Sequence, residues 1–351
     1  MNVLMCCSDL SYKGGMVSVA KNLLSSLPAR EGVKVMFVPT HCDGSKLKMA
    51  WRFLTAFARI ARMAAGGRID VAHLHVSERG SFVRKGLLLR LLHRYHVPVV
   101  LHHHGAEFEP WYASLSPGNR RRVDAILREA DVNIVLSRRL IPMITDKVAD
   151  ARVEAVYNSV PTLKANPYTG RERGVLLLGR LGQRKGAFDL IEAVKLIDRD
   201  IPEDIQFYFC GDGEVEEVRR RISEAGLSHR VAHVGWIAGK EKEEILSQTM
   251  INVLPSYHEG LPMTILETMA RGIPNISTPV ASIPEVITNG VTGLLVEPGD
   301  VKGLAGALKR LINTPAERMA LSQASFSLIA ERFSMEAATD RLMEIYAGVE
   351  R

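Results

Sequence analysis

The sequence predicts an α/β protein built from two doubly wound, Rossmann-like parallel sheets. Short apolar runs alternate with helical patterns along the whole chain, which is typical of parallel strands joined by crossover helices. A segment rich in turn residues, 158–170, divides the chain near its middle. The length of 351 residues suits two domains that each bury a core.

Six strands are predicted in the first half, and helical patterns such as 16–27 and 121–129 separate them. The first of these helices follows a pair of glycines, Gly14 and Gly15, which suits a tight turn between a strand and a helix. The predicted strands are 2–7, 33–38, 69–76, 97–103, 132–136 and 152–156.

The second half repeats the pattern with helices at 188–197, 215–225 and 263–271. We therefore expect a first domain at 1–165 and a second at 166–332. Two such sheets would face a central cleft, and open parallel sheets bind ligands at the carboxyl ends of their strands. The predicted strands are 174–178, 205–210, 231–234, 251–254, 273–277 and 294–296.

The charge is distributed unevenly along the chain. The net charge is +6, but the first 165 residues hold 24 Lys and Arg against 13 Asp and Glu, whereas the remainder holds 21 against 26. Two basic stretches with helical apolar spacing, 46–63 and 82–95, could lie on an anionic membrane surface or bury their apolar sides in the core. The basic residues lack interleaved base-stacking aromatic residues along a strand face, so nucleic acid is not an expected partner.

Several protein classes are excluded or disfavoured because the sequence lacks their characteristic features. Cys6, Cys7, Cys42 and Cys210 show no C-x-x-C spacing, so they are expected to be reduced thiols. No apolar run is long enough to span a bilayer, and no basic segment precedes the first strand, so we expect a cytoplasmic chain that can bind a membrane peripherally. Neither a P-loop nor a G-x-G-x-x-G motif is present, which disfavours kinases and dehydrogenases.

The turn at 179–186 has the composition of a phosphate site. Gly179 and Gly186 allow close backbone approach, Arg180 and Lys185 add full charges, and a predicted helix follows. A diphosphate needs this combination, although a basic surface turn would have the same composition.

Two glutamates flank the start of the predicted helix 263–271. Glu259 lies in the loop before the helix and Glu267 lies within it, among apolar neighbours. A carboxylate can accept hydrogen bonds from a ribose diol or a sugar ring. The alternatives are a solvated loop acid for Glu259 and a salt bridge for Glu267. The single D-x-D, at Asp198 and Asp200, falls between a predicted helix and a strand, so no metal site is expected there.

These motifs together resemble one enzyme family. Glu259 and Glu267 stand in E-G-L-P and E-x-M-A-x-G-x-P, the turn at 179–186 is G-R-L-x-x-x-K-G, and 292–300 is T-G-L-L-V-E-P-G-D. With Gly14-Gly15 and His104-Gly105, the chain resembles the retaining family-4 glycosyltransferases of the GT-B fold, such as bacterial sugar transferases for exopolysaccharide, capsule and O-antigen. It departs from their pattern at Ala281-Ser282 and around Asn158.

The resemblance implies a role for each matching residue. Arg180 and Lys185 would neutralise the leaving diphosphate, Glu267 would hold the ribose and Glu259 the transferred sugar, and His104 would contact the sugar or the incoming hydroxyl. Arg79 and Glu107, with the nearby His73 and His75, are expected to shape the acceptor site. The implied catalytic set is His104, Glu259, Arg180 and Lys185, and the implied donor-binding set is Gly14, Gly15, Arg180, Lys185, Gly211, Glu259, Gly260, Leu261 and Glu267.

The function implied is transfer of a hexose-type sugar from a nucleotide diphosphate sugar, with retention and without a metal cofactor. The basic first domain suggests a polyprenyl-diphosphate-linked saccharide acceptor at the inner leaflet of the cytoplasmic membrane. In this family the last helix, here within 333–351, crosses back to the first domain. A GT-B-like nucleotide-sugar epimerase and a catalytically silent nucleotide-sugar binding subunit remain as alternatives.

Overall fold

The computed structural model describes residues 1–12 and 14–349 and divides into two compact units. Unit 1 is Met1–Ser159 together with the segment that begins at Met335, and unit 2 is Val160–Ser334. Unit 2 begins six residues before residue 166, the start predicted from the turn-rich composition. Val160 belongs to unit 2 because its N–H donates to the carbonyl of Phe333, 3.1 Å away.

Unit 1 contains a six-stranded parallel sheet in the order β2-β1-β3-β4-β5-β6. Its strands are β1 (Asn2–Cys7), β2 (Lys34–Pro39), β3 (Val71–Val76), β4 (Val99–His103), β5 (Val132–Val135) and β6 (Val153–Ala155). Its α-helices up to the boundary are α1 (Gly15–Ser26), α2 (Lys46–Ala65), α3 (Gly80–His93), α4 (Phe108–Ala113), α5 (Pro117–Glu129) and α6 (Pro142–Thr145).

The two basic helices α2 and α3 each bury one side in the core of unit 1. Ala56 and Ile60 of α2 and Leu88 and Leu92 of α3 are buried in one apolar cluster with strand residues. The expectation that these stretches bury their apolar sides in the core therefore holds for their inner faces. Their outer faces still expose large apolar side chains, with Trp51 70% exposed.

Unit 2 contains a second six-stranded parallel sheet, in the order β12-β11-β10-β7-β8-β9. Its strands are β7 (Gly174–Leu178), β8 (Gln206–Cys210), β9 (Val231–Gly235), β10 (Thr249–Leu254), β11 (Asn275–Ser277) and β12 (Leu294–Leu295). Its α-helices are α7 (Ala187–Ile197), α8 (Val215–Glu224), α9 (Gly239–Ser247), α10 (Met263–Met269), α11 (Val301–Asn313) and α12 (Pro315–Arg332).

The last helix, α13 (Met335–Ala347), belongs to unit 1 and packs against α1. Its apolar stripe buries Leu342, Ile345 and Tyr346. Thr339 Oγ1 donates to Ser26 Oγ at 2.9 Å, so a polar contact accompanies the apolar packing.

The predicted fold class is confirmed, because both halves are parallel sheets covered by helices. All twelve predicted strands are present, with ends that shift by at most two residues. Buried parallel strands are apolar along their whole length, which makes them easy to locate in a sequence.

Candidate functional site

The turns that follow β7, β8 and β10 meet at one edge of the unit 2 sheet. These strands are adjacent and parallel, so their carboxyl ends lie side by side. Tyr257 N–H donates to the carbonyl of Arg184 at 2.9 Å, which joins the turn after β7 to the loop after β10. The structure therefore brings together the turn 179–186, Gly211 and the loop that holds Glu259 and Gly260.

Lys185 and Glu259 form an ion pair at this edge. The Lys185 Nζ donates to Glu259 Oε1, and the side chains are only 11% and 5% exposed. Ser256 Oγ donates to the same oxygen at 2.7 Å. Glu259 is therefore buried and paired, and the alternative of a solvated loop acid is wrong. Because an ammonium has three donors, Lys185 can also hold a phosphate oxygen without leaving Glu259.

Arg180 is exposed and lies in the same turn, directly after β7. No acidic side chain within residues 1–12 or 14–349 forms an ion pair with Arg180, which distinguishes it from Lys185. A second anion could approach this guanidinium without displacing a carboxylate. Two cations with different exposure thus lie on one turn.

Two glycines let the turns approach each other. A Cβ on Gly211 would lie 1.8 Å from the carbonyl oxygen of Gly179, and a Cβ on Gly186 would lie 2.2 Å from that of Pro255. Gly186 also has a φ of 70°, which L side chains rarely adopt. Only glycine allows this spacing of the loops after β7, β8 and β10.

Glu267 lies on α10, one and a half helical turns from the loop that holds Glu259. Its Oε2 accepts a bond of 2.7 Å from Lys242 Nζ on α9, so Glu267 forms the salt bridge that was the alternative expectation. Leu261 and Gly260 are buried at the entrance of the helix. Pro262 is the residue before α10, and the helix ends two residues earlier than predicted.

The D-x-D motif is occupied by structural ion pairs. Asp198 accepts a bond of 2.7 Å from Arg230, which is 5% exposed, and Asp200 pairs with Lys309 at 2.7 Å. Asp198 thus joins the end of α7 to the segment before β9, and Asp200 joins the same end to α11.

The predicted residues of unit 1 also gather at the carboxyl edge of their sheet. Gly14 precedes α1 after β1, Arg79 precedes α3 after β3, and His104 and Glu107 follow β4. Gly15 is the first residue of α1. Since β1, β3 and β4 are neighbours in the parallel sheet, these residues belong to adjacent turns.

Glu78 organises the acceptor candidates of unit 1. Its Oε1 accepts a bond of 2.7 Å from Glu107 N–H, and its carboxylate would lie 2.6 Å from a Cβ on Gly105. Arg79, whose side chain is 74% exposed, lies 3.5 Å from the Glu107 carboxylate. The loops after β3 and β4 are thus joined by two contacts. One is the partly buried bond from Glu107 N–H to Glu78, and the other is the exposed pair of Arg79 and Glu107.

His104 is held by another histidine. Its Nε2 lies 2.8 Å from His75 Nδ1, and its backbone N–H donates to the carbonyl of Val76 at 2.8 Å. Burial, with smaller contributions from His73 and His103, lowers the pKa of His104 to about 3. The imidazole is therefore neutral at physiological pH, so it offers a hydrogen bond rather than a charge.

Sequence reasoning missed the partners of the predicted site residues. Ser256, Lys242 and Glu78 contact Glu259, Glu267 and Glu107 respectively. Ser256 stands three residues before Glu259, so its proximity could have been inferred from the tight loop. Lys242 and Glu78 are 25 and 29 residues from their partners, and no local pattern marks them.

Comparison with known proteins agrees with this architecture. Residues 13–163 match the family model described as Glycosyltransferase Family 4, and residues 164–327 match the one described as Glycosyl transferases group 1. The described part of the chain contains no helix with the length and apolar character that a membrane span needs.

The chain is similar to curated enzymes and to a solved structure. It is 30% identical over 231 residues to an alpha-D-kanosaminyltransferase of Streptomyces kanamyceticus (65% of this chain, 58% of the relative). It is 30% identical over 175 residues to the lipopolysaccharide core biosynthesis glycosyltransferase LpsE of Rhizobium meliloti (50% and 49%). These matches span about half the length of the curated relatives.

Anabaena HepE, solved in complex with UDP-glucose, shares the fold with a TM-score of 0.78 at 18% identity, covering 99% of this chain and 100% of that one. Two sheets of this topology and the two consecutive family matches define the class. The chain belongs to the glycosyltransferases of the GT-B type.

Proposed function

We propose that this chain transfers a hexose-type sugar from a nucleotide diphosphate sugar to a hydroxyl of a lipid-linked saccharide, with retention of configuration, in cell-surface polysaccharide synthesis. The observation that carries the proposal is the turn 179–186, where Lys185 pairs with the buried Glu259 and Arg180 is an exposed second cation. UDP-glucose bound to a protein of the same fold and the likeness to a lipopolysaccharide enzyme support it.

The chemistry follows from the charges at the turn. Departure of the nucleoside diphosphate leaves negative charge on its outer phosphate, which Arg180 and Lys185 stabilise. Glu259 Oε1 already accepts from Lys185 and Ser256, so Oε2 is the oxygen assigned to a sugar hydroxyl. Glu267 takes the ribose diol, for which the Lys242 bond must open or be shared.

Two cations remove the need for a divalent metal at the diphosphate. His104 contributes a neutral hydrogen-bonding group to the sugar or to the incoming hydroxyl. The family resemblance supplies the retaining course, in which a donor phosphate oxygen takes the acceptor proton on the same face. Gly14 and Gly15 are assigned to donor binding by the resemblance, and Arg79 and Glu107 are assigned to the acceptor.

A donor-panel assay tests the activity. Purified chain is incubated with nucleotide sugars, with and without a polyprenyl-diphosphate-linked saccharide, in the presence of a chelator. Release of nucleoside diphosphate that depends on the acceptor is the expected result. Interconversion of the free nucleotide sugar would instead establish an epimerase, and binding without turnover a silent subunit.

Replacement of the two cations tests the diphosphate assignment. We expect Arg180→Ala and Lys185→Ala each to lower kcat by about two to three orders of magnitude, because each removes charge stabilisation from the transition state. Lys195→Ala is the matched control, since Lys195 is exposed on α7, the helix that follows the same turn. Wild-type turnover in both turn variants would contradict the assignment.

Peripheral membrane binding is proposed for the outer face of α2. Leu47, Trp51 and Leu54 recur at spacings of four and three residues and are 83%, 70% and 60% exposed. Exposed basic residues on the same helix include Lys48 and Arg59. Such a face combines apolar insertion with attraction to anionic lipid. A polar pocket of about 430 Å³, lined by Lys48, Trp51 and Arg52 among others, adjoins it.

Liposome sedimentation tests this proposal. Vesicles with anionic phospholipid should retain the chain at low salt, and neutral vesicles should not. The double variant Trp51→Ala with Leu54→Ala should lose binding. Trp236→Ala is the control, because Trp236 is a partly exposed tryptophan of unit 2. Unchanged binding by the double variant would exclude α2 as the docking face.

A further inference from the structure

Four histidines form a cluster on one side of the unit 1 sheet. His73 and His75 are two residues apart on β3, so their side chains point to the same face of the sheet. His102 on β4 is in register with His75, and His104 follows two residues later. His73 and His75 are 0% exposed and His102 is 2% exposed. The strands themselves therefore bring the four rings together.

The cluster is closed by α13 and holds its rings through mutual contacts. His73 Nδ1 lies 2.5 Å from the Tyr346 hydroxyl, and His73 Nε2 lies 3.0 Å from His102 Nδ1. His75 Nδ1 lies 2.8 Å from His104 Nε2. The ring centroids of His73 and His75 are 4.6 Å apart, so the imidazoles pack as closely as aromatic pairs in a core.

Two nitrogens in this cluster lack a hydrogen-bond partner. Within the described chain, His75 Nε2 and His102 Nε2 are buried and make no hydrogen bond. Leaving a buried polar nitrogen unpaired costs roughly 1–3 kcal/mol. A pair of such atoms in one cluster indicates that the site accommodates a further polar species.

We propose that His73, His75 and His102 bind a divalent transition-metal ion of the zinc type. One ligand nitrogen from each residue can be chosen so that the three lie within 4.8 Å of one another. Three imidazole nitrogens at roughly 2.0–2.1 Å from a tetrahedral ion would be about 3.4 Å apart, so small ring rotations would complete the site. The described cluster contains no carboxylate, and imidazole alone favours zinc, copper or nickel over magnesium or calcium.

The surroundings of the three histidines match this use. Metal-bound histidines commonly fix their second nitrogen by a hydrogen bond, and the Nδ1 atoms of His73 and His75 are held by Tyr346 and His104. The bound ion would join β3, β4 and the hydroxyl partner on α13, which gives it a structural role in unit 1.

Zinc titration of the metal-stripped full chain tests the proposal. Calorimetry with Zn²⁺ should show a single saturable site, and Mg²⁺ should give no heat of binding. Zinc at about a hundredfold excess over Kd should raise the Tm of unit 1 by about 5–10 °C. Absence of saturable zinc binding, or an equal effect of Mg²⁺, would overturn the proposal.

Variants of two buried histidines on β4 distinguish the loss of a metal ligand from a general loss of stability. His102→Gln should weaken zinc binding by about 100-fold or more, since it removes a ligand. His103→Gln should not, because His103 points to the opposite face, where its Nε2 lies 3.0 Å from Asn133 Oδ1. Retained affinity in His102→Gln, or equal loss in His103→Gln, contradicts the assignment.

Zinc-edge X-ray absorption of the wild-type complex gives a result that needs no folded variant. The expected spectrum has a nitrogen shell at about 2.0–2.1 Å with the multiple scattering of imidazole. A shell of sulfur, which the cysteines could supply, or of oxygen only would place the ion elsewhere and overturn the proposal.

Discussion

Lys85 on α3 is a lysine that the fold keeps almost free of water. It is 2% exposed, and its Nζ donates to Thr40 Oγ1. Burial lowers its pKa from 10.5 to about 8. At neutral pH the ammonium is therefore charged in both the folded and the unfolded chain, and the folded state bears the cost of desolvating it.

Lys85→Met should stabilise the chain at pH 7 by about 2 kcal/mol. The lowered pKa corresponds to roughly 3 kcal/mol of desolvation cost, from which about 1 kcal/mol for the lost bond to Thr40 is subtracted. Between pH 8 and 10.5 the unfolded chain binds more protons than the folded one, so wild-type stability rises and the advantage of the variant shrinks. Urea unfolding from pH 7 to 10 measures this difference.

The control for Lys85 is Lys195→Met, at an exposed lysine of α7, which should change stability by less than about 0.5 kcal/mol at any of these pH values. If the difference in free energy of unfolding between wild type and Lys85→Met stays constant with pH, the charge of Lys85 does not contribute to that difference.

At the same scale, residue types were predictable from sequence but their partners were not. Motifs indicate both Glu259 and Lys185, yet they are 74 positions apart and nothing local indicates that they neutralise each other. The histidine cluster shows the same limit, because His73 and His102 meet only through strand register. Pairing across a sheet depends on tertiary structure, which periodicity does not encode.

Among the elements, the turns after β7 and β8 approach each other closely at the carboxyl edge of the unit 2 sheet. Gly211→Ala should lower the free energy of unfolding of unit 2 by about 3 kcal/mol, because its Cβ would lie 1.8 Å from the Gly179 carbonyl oxygen. Thermal unfolding of unit 2 measures the loss.

Gly226→Ala isolates the steric part of that effect. Gly226 has a φ of 74°, whereas Gly211 has a φ of 158°, and a Cβ on Gly226 would have no atom within 4 Å. Backbone strain alone should cost about 1 kcal/mol. If both alanine variants lose equal stability, then backbone conformation rather than close approach explains Gly211.

Element positions followed from the sequence because the sheet strands are apolar along their length, while element ends depended on local contacts. The helix predicted at 263–271 ends at Met269 because Gly272, with a φ of 67°, terminates it through the bond from Gly272 N–H to the carbonyl of Met269. The domain boundary likewise follows the backbone bond between Val160 and Phe333, which turn composition did not indicate.

For the whole molecule, chain order and structural order differ at the end. The segment that begins at Met335 follows unit 2 in sequence yet completes unit 1. Ion pairs add to its apolar contacts, with Arg341 2.7 Å from Glu154 and Arg30 2.5 Å from Asp340. These exposed pairs contribute little by themselves, so the apolar stripe of α13 dominates its attachment.

Truncation after Ser334 should therefore destabilise unit 1 selectively. The removed helix buries Leu342, Ile345 and Tyr346, each worth about 1.5–3 kcal/mol. Their sum of about 4.5–9 kcal/mol is comparable with the stability of a whole domain. Hydrogen exchange read by mass spectrometry should show lost protection in β1 to β6. Protection of β7 to β12 should persist, because the core of unit 2 lies within Val160–Ser334. Equal loss of protection in both sheets would show that the two units unfold as one cooperative block.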